Sequence, residues 1–135
     1  MSDIVIFDTS VLVDEVRTGR HRQRIASVDG LVRTSSVVLA ELLRGVIGAA
    51  EQKFLRALAR NHAILTPTQK NWLESGEILA NIRADHGFQP HNFRDLHFDV
   101  LIALPARSHG ARLITTSWTD FELITRHCKF HLEVW

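Results

Sequence analysis

The chain has 135 residues, 45% hydrophobic and 23% charged, an ordinary globular balance whose length leads us to expect one domain over residues 1–135. Sixteen Lys and Arg against fifteen Asp and Glu give a net charge of +1, which excludes a strongly basic field over the whole protein. The single cysteine excludes an intrachain disulfide and favours a cytoplasmic setting, and no apolar run approaches the ~20 residues that would span a membrane.

Short apolar runs alternate along the chain with longer helical patterns. Predicted strands cover Ile4–Phe7, 31–34, 63–65, Arg112–Thr115 and an edge strand within 132–135. Predicted helices cover 11–17, 35–45, 54–58, 68–87, 95–110 and Trp118–Thr125. Strands separated by helices imply parallel crossovers, so we predict a three-layer α/β/α fold with a mainly parallel central sheet. The functional site should then lie beyond the carboxyl ends of the strands.

Two acids occur where apolar residues dominate the first half of the chain. Asp8 directly follows the first strand, where it could cap the next helix or act as a metal ligand. Glu41 interrupts an apolar helical run over 37–43. Because burying an unpaired carboxylate costs several kcal/mol, Glu41 must face solvent, pair with Arg44 or meet a bound cation.

The second half of the chain also has acids within or just after apolar runs. Asp99 lies in the apolar stretch 96–104, one helical turn after Asp95, and two like charges at that spacing repel. We predict that Asp95 caps the helix and points outward while Asp99 faces inward. Asp120 follows the strand that ends at Thr115 and could be a ligand, although the better interpretation is a cap of the next helix.

These acids should converge at one edge of the sheet. Such a cluster stays ionised near neutral pH only when a cation compensates it, and oxygen ligands select Mg²⁺ or Mn²⁺. Carboxylate-held magnesium is the usual apparatus for phosphodiester hydrolysis.

The motifs around these acids resemble those of the PIN-domain nucleases, and among them the VapC-type toxins of toxin–antitoxin modules. The resemblance covers essentially the whole chain. Its motifs are IFDTSVLV with Asp8, SSVVLAELLRG with Glu41, FDVLIA with Asp99, and GARLITT continuing to Asp120 and Phe121. The resemblance implies that Asp8, Glu41 and Asp99 are catalytic and bind the metal, with Asp120, Ser117 and Asp95 as further candidates.

Two residues depart from the family pattern. Ser117 stands where the family commonly has Asp or Asn, and a hydroxyl supplies no charge to a metal. Pro105 falls inside the third-motif helix, where it should kink or shorten that helix.

The resemblance also implies a function and partners. It indicates a metal-dependent endoribonuclease that hydrolyses transfer, ribosomal or messenger RNA and is held in check by a VapB-like antitoxin. Thr9, Ser10, Arg44 and Thr115 are candidates for substrate binding. A homodimer, or a heterotetramer or hetero-octamer with the antitoxin, is expected, with no membrane partner. Its apolar contact surface would come from the helices around 54–58 and 72–82.

Three alternatives remain. A phosphoacceptor domain would use Asp8, but a suitably placed lysine after a late strand is missing. A catalytically inactive PIN fold that binds RNA or serves as a scaffold is conceivable because of Ser117. A histidine-based nuclease would draw on His62, His86, His91, His97, His109, His127 and His131, which follow no recognised ligand spacing.

Overall fold

Five parallel strands form the centre of the molecule. This computed structural model describes residues 3–45, 48–87 and 90–135, with the backbone alone at 90–92. The strands are β1 (Ile4–Phe7), β2 (Leu31–Ser35), β3 (Ile64–Leu65), β4 (Arg112–Thr115) and β5 (His131–Val134), arranged in the order β3-β2-β1-β4-β5. Every neighbouring pair is parallel, as the alternating pattern predicts.

Helices flank the sheet in a three-layer α/β/α arrangement. They are α1 (Thr9–Thr18), α2 (Arg22–Ser27), α3 (Ser36–Arg44), α4 (Ala49–Asn61), α5 (Gln69–His86), α6 (Pro90–Ser108) and α7 (Trp118–Thr125). Among the described residues, no helix is both long enough and apolar enough to cross a membrane.

The two central strands and α6 supply most of the core. Ile6 of β1 pairs in register with Leu113 of β4, and both side chains are fully buried. This explains why β1 is a continuous apolar run, since helices cover both faces of the sheet. The apolar part of α6 packs against them, with Val100 to Ala106 buried.

Local sequence signals set several helix boundaries as predicted. Ser35 caps α3, where its hydroxyl accepts hydrogen bonds from the backbone N–H groups of Val37 and Val38. Thr68 and Asn71 form a reciprocal capping box that starts α5. The predicted edge strand is β5, which pairs only with β4 in the described sheet.

The predicted start of α6 is wrong, whereas its predicted end is confirmed by Gly110, which follows the helix with a φ of +62°. The helix begins at Pro90, so Asp95 lies inside it and does not cap it. Pro105 does not shorten the helix, which continues to Ser108. Proline removes one backbone hydrogen bond, but residues around it are buried in the core, and this burial outweighs the loss.

Two further details differ from the sequence-based predictions. The short helix α2 was not predicted, because it buries none of its residues and so lacks an apolar period. The spacing of Leu39, Leu42 and Leu43 predicts one shared apolar face of α3, but Leu43 is 63% exposed while Leu39 is buried.

Candidate functional site

Asp8 is fixed at the carboxyl end of the central strand β1. Its backbone N–H donates to the carbonyl of Ile114, which continues the pairing of β1 with β4. Its carboxylate accepts hydrogen bonds from the hydroxyls of Ser10 and Thr115, each 2.8 Å from Oδ2. Burial raises the pKa of Asp8, and these two hydroxyls partly offset that effect. Asp8 stands at the N-cap position of α1, but its carboxylate is engaged across the sheet with β4.

Glu41 is held beside Asp8 by the first turn of α1. The hydroxyl of Thr9 donates to Glu41 Oε1 at 3.0 Å. Burial is the largest influence on the pKa of Glu41 and raises it, and the negative charge of Asp8 acts in the same direction. The positive charge of Arg44 lowers the pKa of Glu41 in part, but the Arg44 guanidinium lies 5.8 Å over the Phe98 ring. Arg44 forms no ion pair with Glu41 among the described residues, so Glu41 is incompletely compensated.

Among the described residues, Asp99 is the acid of the three that no hydroxyl or basic group compensates. Burial and the charges of Asp8, Asp120, Glu41 and Asp95 raise the pKa of Asp99 from 3.8 to about 9. Within the described chain, its side chain has no hydrogen bond or ion pair. The structure therefore places Asp99 among like charges without a basic partner.

The three lesser candidates lie around this group. Asp95 and Asp120 are both exposed, and each raises the pKa of Asp99 through its charge. Asp120 does not cap α7: the N-cap residue is Ser117, and Asp120 lies in the first turn. Ser117 is exposed, and its backbone N–H donates to Thr115 Oγ1.

Three of the four predicted substrate-binding residues contact the acids directly. Thr9 donates to Glu41, while Ser10 and Thr115 donate to Asp8. A further bond joins the backbone N–H of Thr116 to Ser10 Oγ. These hydroxyls orient the carboxylates of the cluster.

The chemistry of this acidic cluster, which we define as Asp8, Glu41 and Asp99, fits a hard divalent cation. Its donors are all carboxylate oxygens, the ligands that Mg²⁺ and Mn²⁺ prefer. Raised pKa values at all three acids show that their negative charges are undercompensated. A bound dication would supply the missing positive charge, and it would have to draw the three carboxylates together, because their oxygens do not all lie within 4.8 Å of one another.

Two cavities flank Glu41, and sequence reasoning missed both. One is lined in part by Val13, Arg17 and Phe54. The other, with a volume of about 350 Å³, is lined in part by Arg44, Trp72 and Phe98. Neither set has a common spacing along the chain, because each cavity is assembled from several elements. The sequence therefore carries no local signal for them.

Two stretches of the sequence are rich in basic residues, Arg17 to Arg24 and Arg126 to Lys129, and for each the sequence leaves open a phosphate contact or a solvated helix end. Arg20 forms an ion pair with Asp14 at 2.6 Å, and Arg126 pairs with Glu122 at 2.9 Å on α7. These contacts favour the interpretation of both clusters as solvated helix ends. Among the histidines of the alternative nuclease hypothesis, the side chain of His91 lies outside the described residues.

The fold is similar to that of solved toxin–antitoxin proteins. VapBC2 from Rickettsia felis, bound to a DNA fragment from its promoter, matches with a TM-score of 0.72 and 21% identity over 98% of both chains. VapBC-1 from nontypeable Haemophilus influenzae matches with a TM-score of 0.72 and 23% identity, also over 98% of both chains. VapBC-5 from Mycobacterium tuberculosis matches with a TM-score of 0.57 and 22% identity over 97% of this chain and 96% of that one.

Comparison by sequence identifies the family. Curated protein sequences give no significant match. The sequence profile of the PIN domain matches residues 5–126, which is nearly the whole chain and includes every acid of the cluster. The chain belongs to the PIN-domain family.

Proposed function

We propose that this protein is a metal-dependent endoribonuclease and the toxin of a toxin–antitoxin pair. The observation that carries the proposal is the acidic cluster, whose three carboxylates lie near the carboxyl edge of a PIN-domain sheet, where the charges of Asp8 and Glu41 help to raise the pKa of Asp99. Residues 1–135 would act as one nuclease domain in the cytoplasm. Buried carboxylates with raised pKa values are typical of catalytic centres.

Asp8, Glu41 and Asp99 would hold Mg²⁺ or Mn²⁺. The ion, when bound, activates water and stabilises charge on the scissile phosphate. The chain itself fixes the ligands: Ser10 and Thr115 orient Asp8, and Thr9 orients Glu41. Asp95, Asp120 and Ser117 lie around the cluster, where they would act through water.

The surroundings of the cluster suit a single strand of RNA. Arg17 and Arg44 line the two cavities beside Glu41 and would contact phosphates on either side of the cleaved bond. Trp72 and Phe98 give one cavity an aromatic wall on which a base could stack. Attack by water would leave a 5′-phosphate on the downstream fragment.

Likeness to VapBC complexes supports a VapB-like antitoxin as the partner. The structures from Rickettsia felis and Haemophilus influenzae cover nearly all of this chain. By this likeness we propose a homodimer, or a heterotetramer or hetero-octamer that includes the antitoxin. The antitoxin would restrain cleavage until it is removed.

The test compares wild-type protein with the Asp8→Asn and Asp99→Asn variants on total cellular RNA. Each protein is incubated with Mg²⁺, with Mn²⁺ and with EDTA, after its fold is checked by circular dichroism. We expect discrete fragments only from wild-type protein with metal, and an activity loss of at least about 100-fold in either variant. Sequencing of the fragment ends would identify the cleaved RNA and its 5′-phosphate.

The inactive PIN fold is the second candidate, and the exposed, uncharged Ser117 is the observation that favours it. Folded, antitoxin-free wild-type protein that cleaves no RNA with either metal would select this candidate. Full activity in Asp8→Asn or Asp99→Asn would instead reject the acidic cluster as the catalytic centre.

A further inference from the structure

We propose a second cation site, formed by Asp85, His86 and His127, that takes a divalent transition metal such as Zn²⁺. Asp85 and His86 end α5, and His127 follows α7. One ligand atom from each side chain lies within 4.8 Å of the other two. Among the described residues, this is the one group of three His, Cys, Asp or Glu side chains to meet that distance.

The contacts within this group, which we call the histidine site, leave room for an ion. His127 Nε2 lies 3.8 Å from Asp85 Oδ2, and the His86 and His127 rings meet edge to face with centroids 5.8 Å apart. Zinc binds imidazole nitrogen and carboxylate oxygen at about 2.0–2.2 Å, so ligands around it lie somewhat closer together than these atoms do. Small side-chain rotations would close that difference.

Burial divides the three ligands into one fixed residue and two adaptable ones. The His127 side chain is only 13% exposed, whereas that of Asp85 is 61% exposed and His86 is exposed as well. His127 would therefore anchor the ion while Asp85 and His86 move to it. The ion remains open to solvent on their side, where water would complete the coordination.

The ligand types separate this site from the acidic cluster. Two imidazoles and one carboxylate suit Zn²⁺, Co²⁺ or Ni²⁺, whereas Mg²⁺ prefers oxygen ligands alone. The C-terminal end of α5 adds the negative end of a helix dipole, which also favours a cation. The protein would thus carry two sites with opposite metal preferences.

Binding at the histidine site would join the end of α5 to the chain segment after α7. Because α7 carries Asp120, the ion would stabilise a helix that also faces the acidic cluster. This inference does not depend on nuclease activity, since its measurements are metal affinity and spectroscopy.

The experiment is a calorimetric titration of Zn²⁺ into protein that was purified without a polyhistidine tag. An Asp99→Asn background weakens metal binding at the acidic cluster. In that background we expect one zinc ion per chain, at least about 10-fold weaker affinity after His127→Ala or His86→Ala, and unchanged affinity after His109→Ala. His109 is the matched control, because it is an exposed histidine outside the site. The exposed His86 gives a second variant if His127→Ala fails to fold.

Cobalt gives an independent readout, since its visible absorption reports nitrogen ligands. We expect the Co²⁺ spectrum of Asp99→Asn protein to weaken and shift in both His86→Ala and His127→Ala, because each change removes one of the two imidazole ligands. Zinc affinity that is unchanged in those two variants would overturn the proposal, and so would loss of all zinc binding in Asp99→Asn alone.

Discussion

At the scale of single residues, the protein places acids where their own charges are disfavoured. Asp99 is the clearest case, because burial and four neighbouring carboxylates raise its pKa to about 9. A carboxyl in an unfolded chain has a pKa near 3.9. Between these two values the folded protein binds more protons than the unfolded chain, so its stability falls as pH rises.

This fall in stability with rising pH gives a prediction for metal-free protein. In EDTA, wild-type protein should lose stability between pH 5 and pH 8, and Asp99→Asn should lose less. At pH 8 the variant should be more stable by at least about 1 kcal/mol, which is roughly 4 °C in Tm for a chain of this size. Thermal unfolding followed by circular dichroism at several pH values measures both curves. Parallel pH profiles for the two proteins would contradict the assigned environment of Asp99.

Thr115 is the second residue whose role can be tested by a substitution, because its hydroxyl can be removed without changing the shape of the side chain. It is fully buried and donates to Asp8 Oδ2 at 2.8 Å. Thr115→Val keeps the shape of the side chain but removes this donor, so we expect Asp8 to hold the metal less well and RNA cleavage to fall by about 10- to 100-fold. The Mg²⁺ concentration for half-maximal cleavage should rise.

Thr115→Ser is the matched control, because it restores the hydroxyl on a smaller side chain. Its Mg²⁺ dependence should stay near that of wild-type protein. If Thr115→Val needed no more Mg²⁺ than Thr115→Ser, the bond to Asp8 would have no part in metal binding.

At the scale of elements, the sequence predicts best what local chemistry decides. The bounds of β1, β4 and α7 agree with the prediction, because apolar runs and turn residues mark them directly. Ser35 and Thr68 likewise act as the predicted caps. The predicted role of Asp95 as a helix cap is wrong, since α6 begins at Pro90, but Asp95 is exposed as predicted.

The candidate site likewise combines residues that the sequence predicts with contacts that it does not predict. Asp8, Glu41 and Asp99 could be chosen from sequence, since each acid interrupts or ends an apolar run. The hydrogen bond from Thr9 to Glu41 could not, because it joins α1 to α3 through tertiary packing alone. The histidine site depends in the same way on the packing of α5 beside the end of α7.

The unpredicted helix α2 is held by Trp135, which follows β5. The Trp135 ring lies 5.6 Å from that of His21 and 5.7 Å from that of Phe7, measured between centroids, while the Arg24 guanidinium lies 5.3 Å over it. The indole N–H also donates to Glu133 Oε2. Trp135 therefore fastens α2 to the edge of the sheet.

Trp135→Ala should consequently destabilise the protein by about 2–3 kcal/mol, less than a fully buried tryptophan would, since Trp135 is only half-buried. Urea unfolding measures this change, and hydrogen exchange should show the largest loss of protection in α2. The control is Trp72→Ala, which removes a tryptophan that is 51% exposed and should cost much less. Equal losses in the two variants would show that Trp135 is not the anchor of α2.

At the scale of the whole molecule, exposed apolar side chains on α5 indicate a surface that a partner covers. Trp72 and Leu73 are adjacent near the start of α5 and are 51% and 66% exposed. They point to different sides of α5, since Trp72 lines the cavity beside Glu41 and Leu73 lines another with Lys70 and Glu77, so Leu73 is the large apolar side chain that a partner would cover. The helix belongs to the region that the sequence predicts as a partner surface.

We therefore expect purified protein to form homodimers through α5, and Leu73→Glu to shift it toward monomer. A buried glutamate would lose its hydration without gaining a partner, so the variant should weaken the dimer by at least about 10-fold. Light scattering coupled to size-exclusion chromatography, at several concentrations, measures both states. Gln52→Glu is the control, because it adds the same charge at an exposed position of α4. Wild-type protein that stays monomeric at every concentration would leave the antitoxin, and not a second copy of the chain, as the partner that covers this surface.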